Sequence, residues 1–225
     1  VTINPTTTGT VSITVNGRTE TVTPVNGVAT LNVAGLAPGK YTVTVKYDGD
    51  AKFANATVSA NFTVSKLDAG MNVIVGNISY GANATVTVTV NSQATGKVNI
   101  TINGVTHEVA IVDGKATYVL VNPNAGNYDV TVSYAGDSNF ANATINTGFI
   151  VSKISPNMTV DIVTVDKGGK ATVTVTVNTK ATGTITINIG GTDHIIGIIN
   201  GKAIVSVSDL VAGNYTVDVK YAGDV

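Results

Sequence analysis

The sequence predicts an all-β protein, a tandem array of β-sandwiches with about seven strands per repeat. Three observations carry that reading. The chain repeats every 87 residues without insertion or deletion: Tyr41, Tyr128 and Tyr215 keep that spacing, and so do Gly9, Gly96 and Gly183. Laying residues 1–66 on 88–153 leaves about half the positions identical, the mark of an array of small domains. Within each repeat, β-branched residues alternate with polar ones between short turn signals, and no stretch has helical spacing.

The elements can be justified in order along residues 67–153, the one whole repeat. Met71-Asn72-Val73-Ile74-Val75 is a first apolar strand, closed by a turn at Tyr80-Gly81-Ala82-Asn83. Ala84 to Val90 reads Ala-Thr-Val-Thr-Val-Thr-Val, a period-2 strand signal. Residues 97–102 alternate again, with Val98, Ile100 and Ile102 on one face. Asn103-Gly104 then predicts a two-residue hairpin, because both central positions need positive φ. The return strand covers 105–111, with Val105, Val109 and Ile111 sharing a face. Asp113-Gly114 makes a second turn into a strand that points Ala116, Tyr118 and Leu120 inward. The seventh strand runs from about Thr144 to Val151.

The sixth strand reads Tyr-Val-Val-Tyr inward in every copy: Tyr41 to Tyr47, Tyr128 to Tyr134 and Tyr215 to Tyr221. Each first tyrosine follows a turn glycine by two residues (Gly39, Gly126, Gly213). That placement predicts a tyrosine corner at Tyr41, Tyr128 and Tyr215, whose hydroxyl reaches back to an upstream backbone group.

Composition narrows the function. Charged residues make up 12% and the net charge is −1, which gives neither the basic face that nucleic acid calls for nor a match to an anionic membrane. The chain has no cysteine, so disulfides and thiolate metal sites are excluded. No apolar run reaches the roughly 20 residues of a membrane helix, so no direct membrane insertion is expected of this segment. Both ends fall inside the repeat, so the sequence reads as a slice of a longer array. Its missing terminal strands would come from the same chain or from a neighbour.

The repeat resembles the bacterial and archaeal immunoglobulin-like domains of large surface adhesins, particularly the adhesin-like proteins of methanogenic archaea. The residues that carry the resemblance are the corner Pro38-Gly39-Lys40-Tyr41 and its equivalents, and the element Tyr47-Asp48-Gly49-Asp50-Ala51-Lys52-Phe53 with its twin Tyr134 to Phe140. The closing Phe-x-Val-Ser-Lys at 62–66 and 149–153 completes it. It implies immunoglobulin-like repeats at 1–66 (lacking the first strand), 67–153 (complete) and 154–225 (lacking the last strand). It also implies an extracellular, cell-surface location and a stalk or filament role, spacing an adhesive region from the cell. Neighbouring repeats and other copies in a filament are the expected partners. The alternative is a multivalent module whose loops bind a host or cell-surface glycan or protein. A linker of about five residues, Lys66 to Met71, predicts restricted angles between repeats.

Candidate chemistry is sparse, and no enzyme or cofactor is expected. The Gly-Asp loop offers two carboxylates in the first repeat (Asp48, Asp50) and one in the others (Asp137, Asp224), poor for calcium with its six to eight oxygens. The stronger reading gives Asp the nearby amides and sends Phe53 or Phe140 into the end of the sandwich. His107 and His194 are read as solvated positions on an outer strand, since neither has a ligand partner at metal spacing. A Lys–Asn crosslink at Lys66 or Lys153 lacks a buried carboxylate, because Asp129 and Asp218 have outward parity. Sequons for N-glycosylation begin at Asn55, Asn61, Asn77, Asn83, Asn99, Asn142, Asn157 and Asn214. Asn55 and Asn142 are equivalent and lie beside a loop, which makes them the strongest pair.

Overall fold

The structure is a computed structural model that describes residues 1–3 and 7–224. The described residues form strands, turns and bends with no helix, and two compact units, Val1–Ser152 and Lys153–Val225. Among the described residues no helix is long and apolar enough to cross a membrane.

The first unit holds two separate hydrophobic cores. Strands β1 (Val11–Val15), β2 (Arg18–Val22), β3 (Gly39–Tyr47) and β4 (Ala56–Val64) make an antiparallel sheet in the order β2-β1-β3-β4. Alternation sets its buried face: Val11, Ile13 and Val15 point inward with Val45 and Tyr47. Isolated bridges join Val28 to Thr2 and to Val25, but 29–33 form no strand.

The second core is a closed sandwich of β5 (Asn72–Ile74), β6 (Ile78–Ser79), β7 (Ala84–Thr89), β8 (Lys97–Ile102), β9 (Val105–Ala110), β10 (Lys115–Leu120), β11 (Gly126–Tyr134) and β12 (Ala143–Ser152). One sheet has the order β10-β7-β5 and the other β6-β12-β11-β8-β9. The first apolar run, 71–75, holds β5, and a second short strand, β6, follows it before the turn at Tyr80. β5 pairs antiparallel with β7, and after Gly76 the chain changes sheet so that β6 runs parallel to β12. Val86, Val88, Val98, Ile100, Val130, Val132, Tyr134, Phe140 and Phe149 fill the space between the sheets. At the hairpin tip, Asn103 and Gly104 have φ of 45° and 84°, as the two-residue turn requires.

The second unit contains β13 (Thr159–Ile162), β14 (Ala171–Thr176), β15 (Thr184–Ile189), β16 (Thr192–Gly197), β17 (Lys202–Val207) and β18 (Val217–Tyr221). Its sheets are β13-β14-β17 and β16-β15-β18, closed over Val173, Val175, Ile185, Ile187 and Val205. The sixth strand of this repeat starts at Val217, so Tyr215 stands outside it, contrary to the sequence reading. The second core gives the reason. Gly126–Asp129 at the head of β11 pair only with β12, and the ladder to β8 begins at Val130. No described strand takes the place of β12 in the second unit, and β18 keeps only the stretch that pairs with β15.

Candidate functional site

The polar groups gather at the Gly-Asp loop after the sixth strand. Gly136 has φ of 81°, and a Cβ there would stand 2.6 Å from the Phe140 carbonyl oxygen, so the turn admits only glycine. The turn aims the next residue, Asp137, at two segments. One carboxylate oxygen accepts the Asn139 and Phe140 amides, each at 2.8 Å. The other accepts the Thr95 amide at 2.8 Å and the Thr95 hydroxyl at 3.0 Å. Buried Tyr134 sends its hydroxyl to the Thr95 carbonyl at 3.1 Å. Asp50 repeats these bonds with Thr8, Lys52 and Phe53, and Asp224 repeats those with Thr182 and also accepts from the Tyr221 hydroxyl.

The donated amide of Thr95 leads the causes that hold the Asp137 carboxyl far below the usual range, as the Thr8 amide does for Asp50. Desolvation first, then the Asp50 carboxylate, pushes Tyr47 up to about 12. Tyr134 and Tyr221 are raised for the same two reasons. Every partner of the Asp137 carboxylate is a hydrogen-bond donor, and four donors already fill its oxygens. The set suits a carboxylate held by the chain, not a cation wanting oxygen ligands. Among the described residues there is no cluster of His, Cys, Asp or Glu able to hold a metal.

The loop also receives the chain that precedes it. Lys66 Nζ donates to the Asp137 backbone carbonyl at 2.5 Å, and Leu67 forms a parallel bridge with Phe140. The Leu67 amide donates to the Asn139 carbonyl, and the Ala141 amide to the Leu67 carbonyl, both at 2.8 Å. In the second unit Lys153 Nζ reaches the Asp224 carbonyl in the same way. The short linker from Lys66 is thus largely bonded: exposed Leu67 is tied to the loop through its backbone, and Ala69 is buried in the second core.

The tyrosine hydroxyls at the strand entries each donate to the carbonyl four residues upstream: Tyr41 to Ala37 at 2.7 Å, Tyr128 to Asn124 at 3.0 Å and Tyr215 to Val211 at 3.2 Å. These bonds lie at the surface, and Tyr128 stacks on Phe149 at 4.9 Å. His107 departs from its reading as a solvated residue. It has the inward parity of Val109 and stacks on Tyr118 of the facing sheet at 4.1 Å. Asp129 and Asp218 are exposed. All eight sequon asparagines are exposed as well. Asn77 accepts the Ile150 amide, Asn83 the Asn122 amide and Asn61 the Thr42 hydroxyl.

Sequence reasoning missed the Thr–Asp bridge. Its signal was present: Thr8, Thr95 and Thr182 precede a turn glycine by one residue and precede the loop aspartate by 42 in every copy. The first core carries a different feature, an open cleft of about 320 Å³ whose walls include Ile13, Val15, Leu31, Val43 and Phe62.

A model of the bacterial Ig-like domain (group 3) matches the chain twice, at residues 1–65 and 72–152. Nothing among curated proteins matches it. Among solved structures, it is similar to that of a 1.5-MDa bacterial ice-binding adhesin, at 16% identity over 93% of this chain and 83% of the other, with a TM-score of 0.34. It is also similar to fibronectin(III)-like modules of Clostridium thermocellum, at 14% identity over 66% and 83%, TM-score 0.31. A third likeness is to the FN1–FN3 domains of chicken CNTN1, at 10% identity over 93% and 82%, TM-score 0.30.

Proposed function

The chain belongs to the bacterial Ig-like domain (group 3) family, and on that premise we propose that it is a spacer segment of a cell-surface adhesin-like protein. In this reading three repeats, at 1–66, 67–153 and 154–225, stand in tandem outside the cell and hold an adhesive region away from it. The methanogen type of adhesin-like protein is the pattern that its motifs suggest.

One observation carries the proposal. The most strongly perturbed acidic groups, Asp50, Asp137 and Asp224, sit at the same place in each repeat and bind the chain's own backbone. A site built three times and spent on bonds within its own chain serves architecture. The bonded junction at Lys66 and Leu67 supports it further, since a short, occupied linker transmits orientation where a free one does not. Exposed Asn55 and Asn142 beside the Gly-Asp loops are the proposed glycan acceptors, tested by intact mass of the protein from its native source.

A multivalent binding role has one observation in its favour. Val25, Val112 and Ile199, equivalent turn residues, are 70%, 65% and 74% exposed, a repeated apolar tip. Binding of the chain to glycan arrays and to whole cells separates the two. The spacer reading expects no saturable binding. Saturable binding that Val112→Ser weakens would replace it with the multivalent one.

A further inference from the structure

The edge strands of the three repeats differ in one respect. β2, β9 and β16 occupy the same place in the 87-residue period, and each ends its sheet with a described strand on one side only. An edge strand presents unpaired amides and carbonyls, and charges are a common way to keep other strands off it. β2 carries Arg18 and Glu20, paired at 2.7 Å. β9 carries Glu108 on its solvent face, held by Lys97 at 3.0 Å. In β16 the position of Glu108 is taken by Ile195, which is 70% exposed, and the position of Lys97 by Thr184. Its one carboxylate, Asp193, is bound by the Asn188 side-chain amide at 2.6 Å. Exposed Ile199, at 74%, extends the apolar edge beyond the strand.

We propose that β16 is a self-association edge, through which two copies of the chain pair antiparallel about a two-fold axis. The second copy fits because the strand complements itself. Pairing centred on Ile195 sets Ile195 against its own copy on the outer face and His194 against Ile196 on the inner face. Asp193 then meets Gly197, so no like charges stand opposite. The same register on β9 would set Glu108 against Glu108. The two three-stranded sheets would merge into one, and the shared edge would be used up by a symmetric contact, which closes at a dimer.

Sedimentation velocity of the whole chain from micromolar to millimolar concentration tests this. The expected result is a monomer–dimer equilibrium. The double variant Thr184→Lys/Ile195→Glu builds the ion pair that its twin already tolerates. It should raise the dissociation constant about ten-fold or more, because two carboxylates then face each other, while the thermal melt stays near wild type. The converse change, Lys97→Thr/Glu108→Ile, opens a second edge and should give species larger than a dimer. A wild-type chain that stays monomeric throughout, a dimer indifferent to the double variant, or open-ended wild-type oligomers would each overturn the proposal.

Discussion

Residues 28–33 and 115–120 hold the same place in the repeat and share its alternation, yet they end differently. Lys115–Leu120 is strand β10, paired over its six residues with β7. Val28–Val33 has isolated bridges at Val28 and no ladder. The inward residue is buried in both, however: Ala29 is 1% exposed and Ala116 4%. Tyr215 and Tyr128 make the same contrast at the head of the sixth strand. Alternation decides which face a residue turns to the core, while a neighbouring strand decides whether the backbone becomes a ladder.

The largest expected effect tests that contrast through two phenylalanines in one register. Phe149 faces Tyr128 and is 3% exposed, whereas Phe62 faces Tyr41 and is 37% exposed beside the open cleft. Phe149→Ala should cost about 3–5 kcal/mol, and Phe62→Ala about 1 kcal/mol or less. Denaturant melts followed by hydrogen exchange in β12 and β4 would read them separately. Equal losses would mean that the two cores are equally closed.

The loop aspartates sharpen the comparison through pH. A depressed carboxylate binds its proton more weakly in the folded chain than in the unfolded one. Its stabilisation is therefore full above about pH 4 and is lost as the pH falls further. Asp137→Asn sets an NH2 group against the Thr95 donors and should lower the melting temperature at neutral pH. The gap to wild type should then narrow steadily as the pH falls below about 4. A gap that holds constant through that range would show that Asp137 is not the group that titrates.

Much of the second core was legible in the sequence, because neighbouring residues encode it. Ala84–Thr89 announces its own face, and Asn103-Gly104 its own turn. Contacts made across the chain were harder to see. Thr95 and Asp137 meet only after one hairpin and two crossings between the sheets set β11 beside β8, and His107 turns inward because Tyr118 offers it a ring on the opposite sheet. Lys66 closes a repeat by sequence but bonds to the next core's loop. The strand lost before Val217 depends on a partner, which no local pattern records.

A smaller effect is expected at the strand entry. The carbonyl that accepts from the Tyr128 hydroxyl lies at the surface, where water replaces the lost donor. Tyr128→Phe should cost about 0.5–1.5 kcal/mol, near the net value of one hydrogen bond. A loss above that range, measured by thermal melt, would mean that the hydroxyl holds more than the Asn124 carbonyl, and Tyr215→Phe should cost no more than Tyr128→Phe.

The spacer role is tested most directly by small-angle scattering of the whole chain at concentrations where it is monomeric. With strands rising about 3.3 Å per residue and loops at each end, every repeat should advance roughly 35–45 Å. The account predicts a radius of gyration of ~30 Å or more, with a maximum dimension above ~100 Å, against about 17 Å for a compact globule of this length. A value near that of the globule would contradict it.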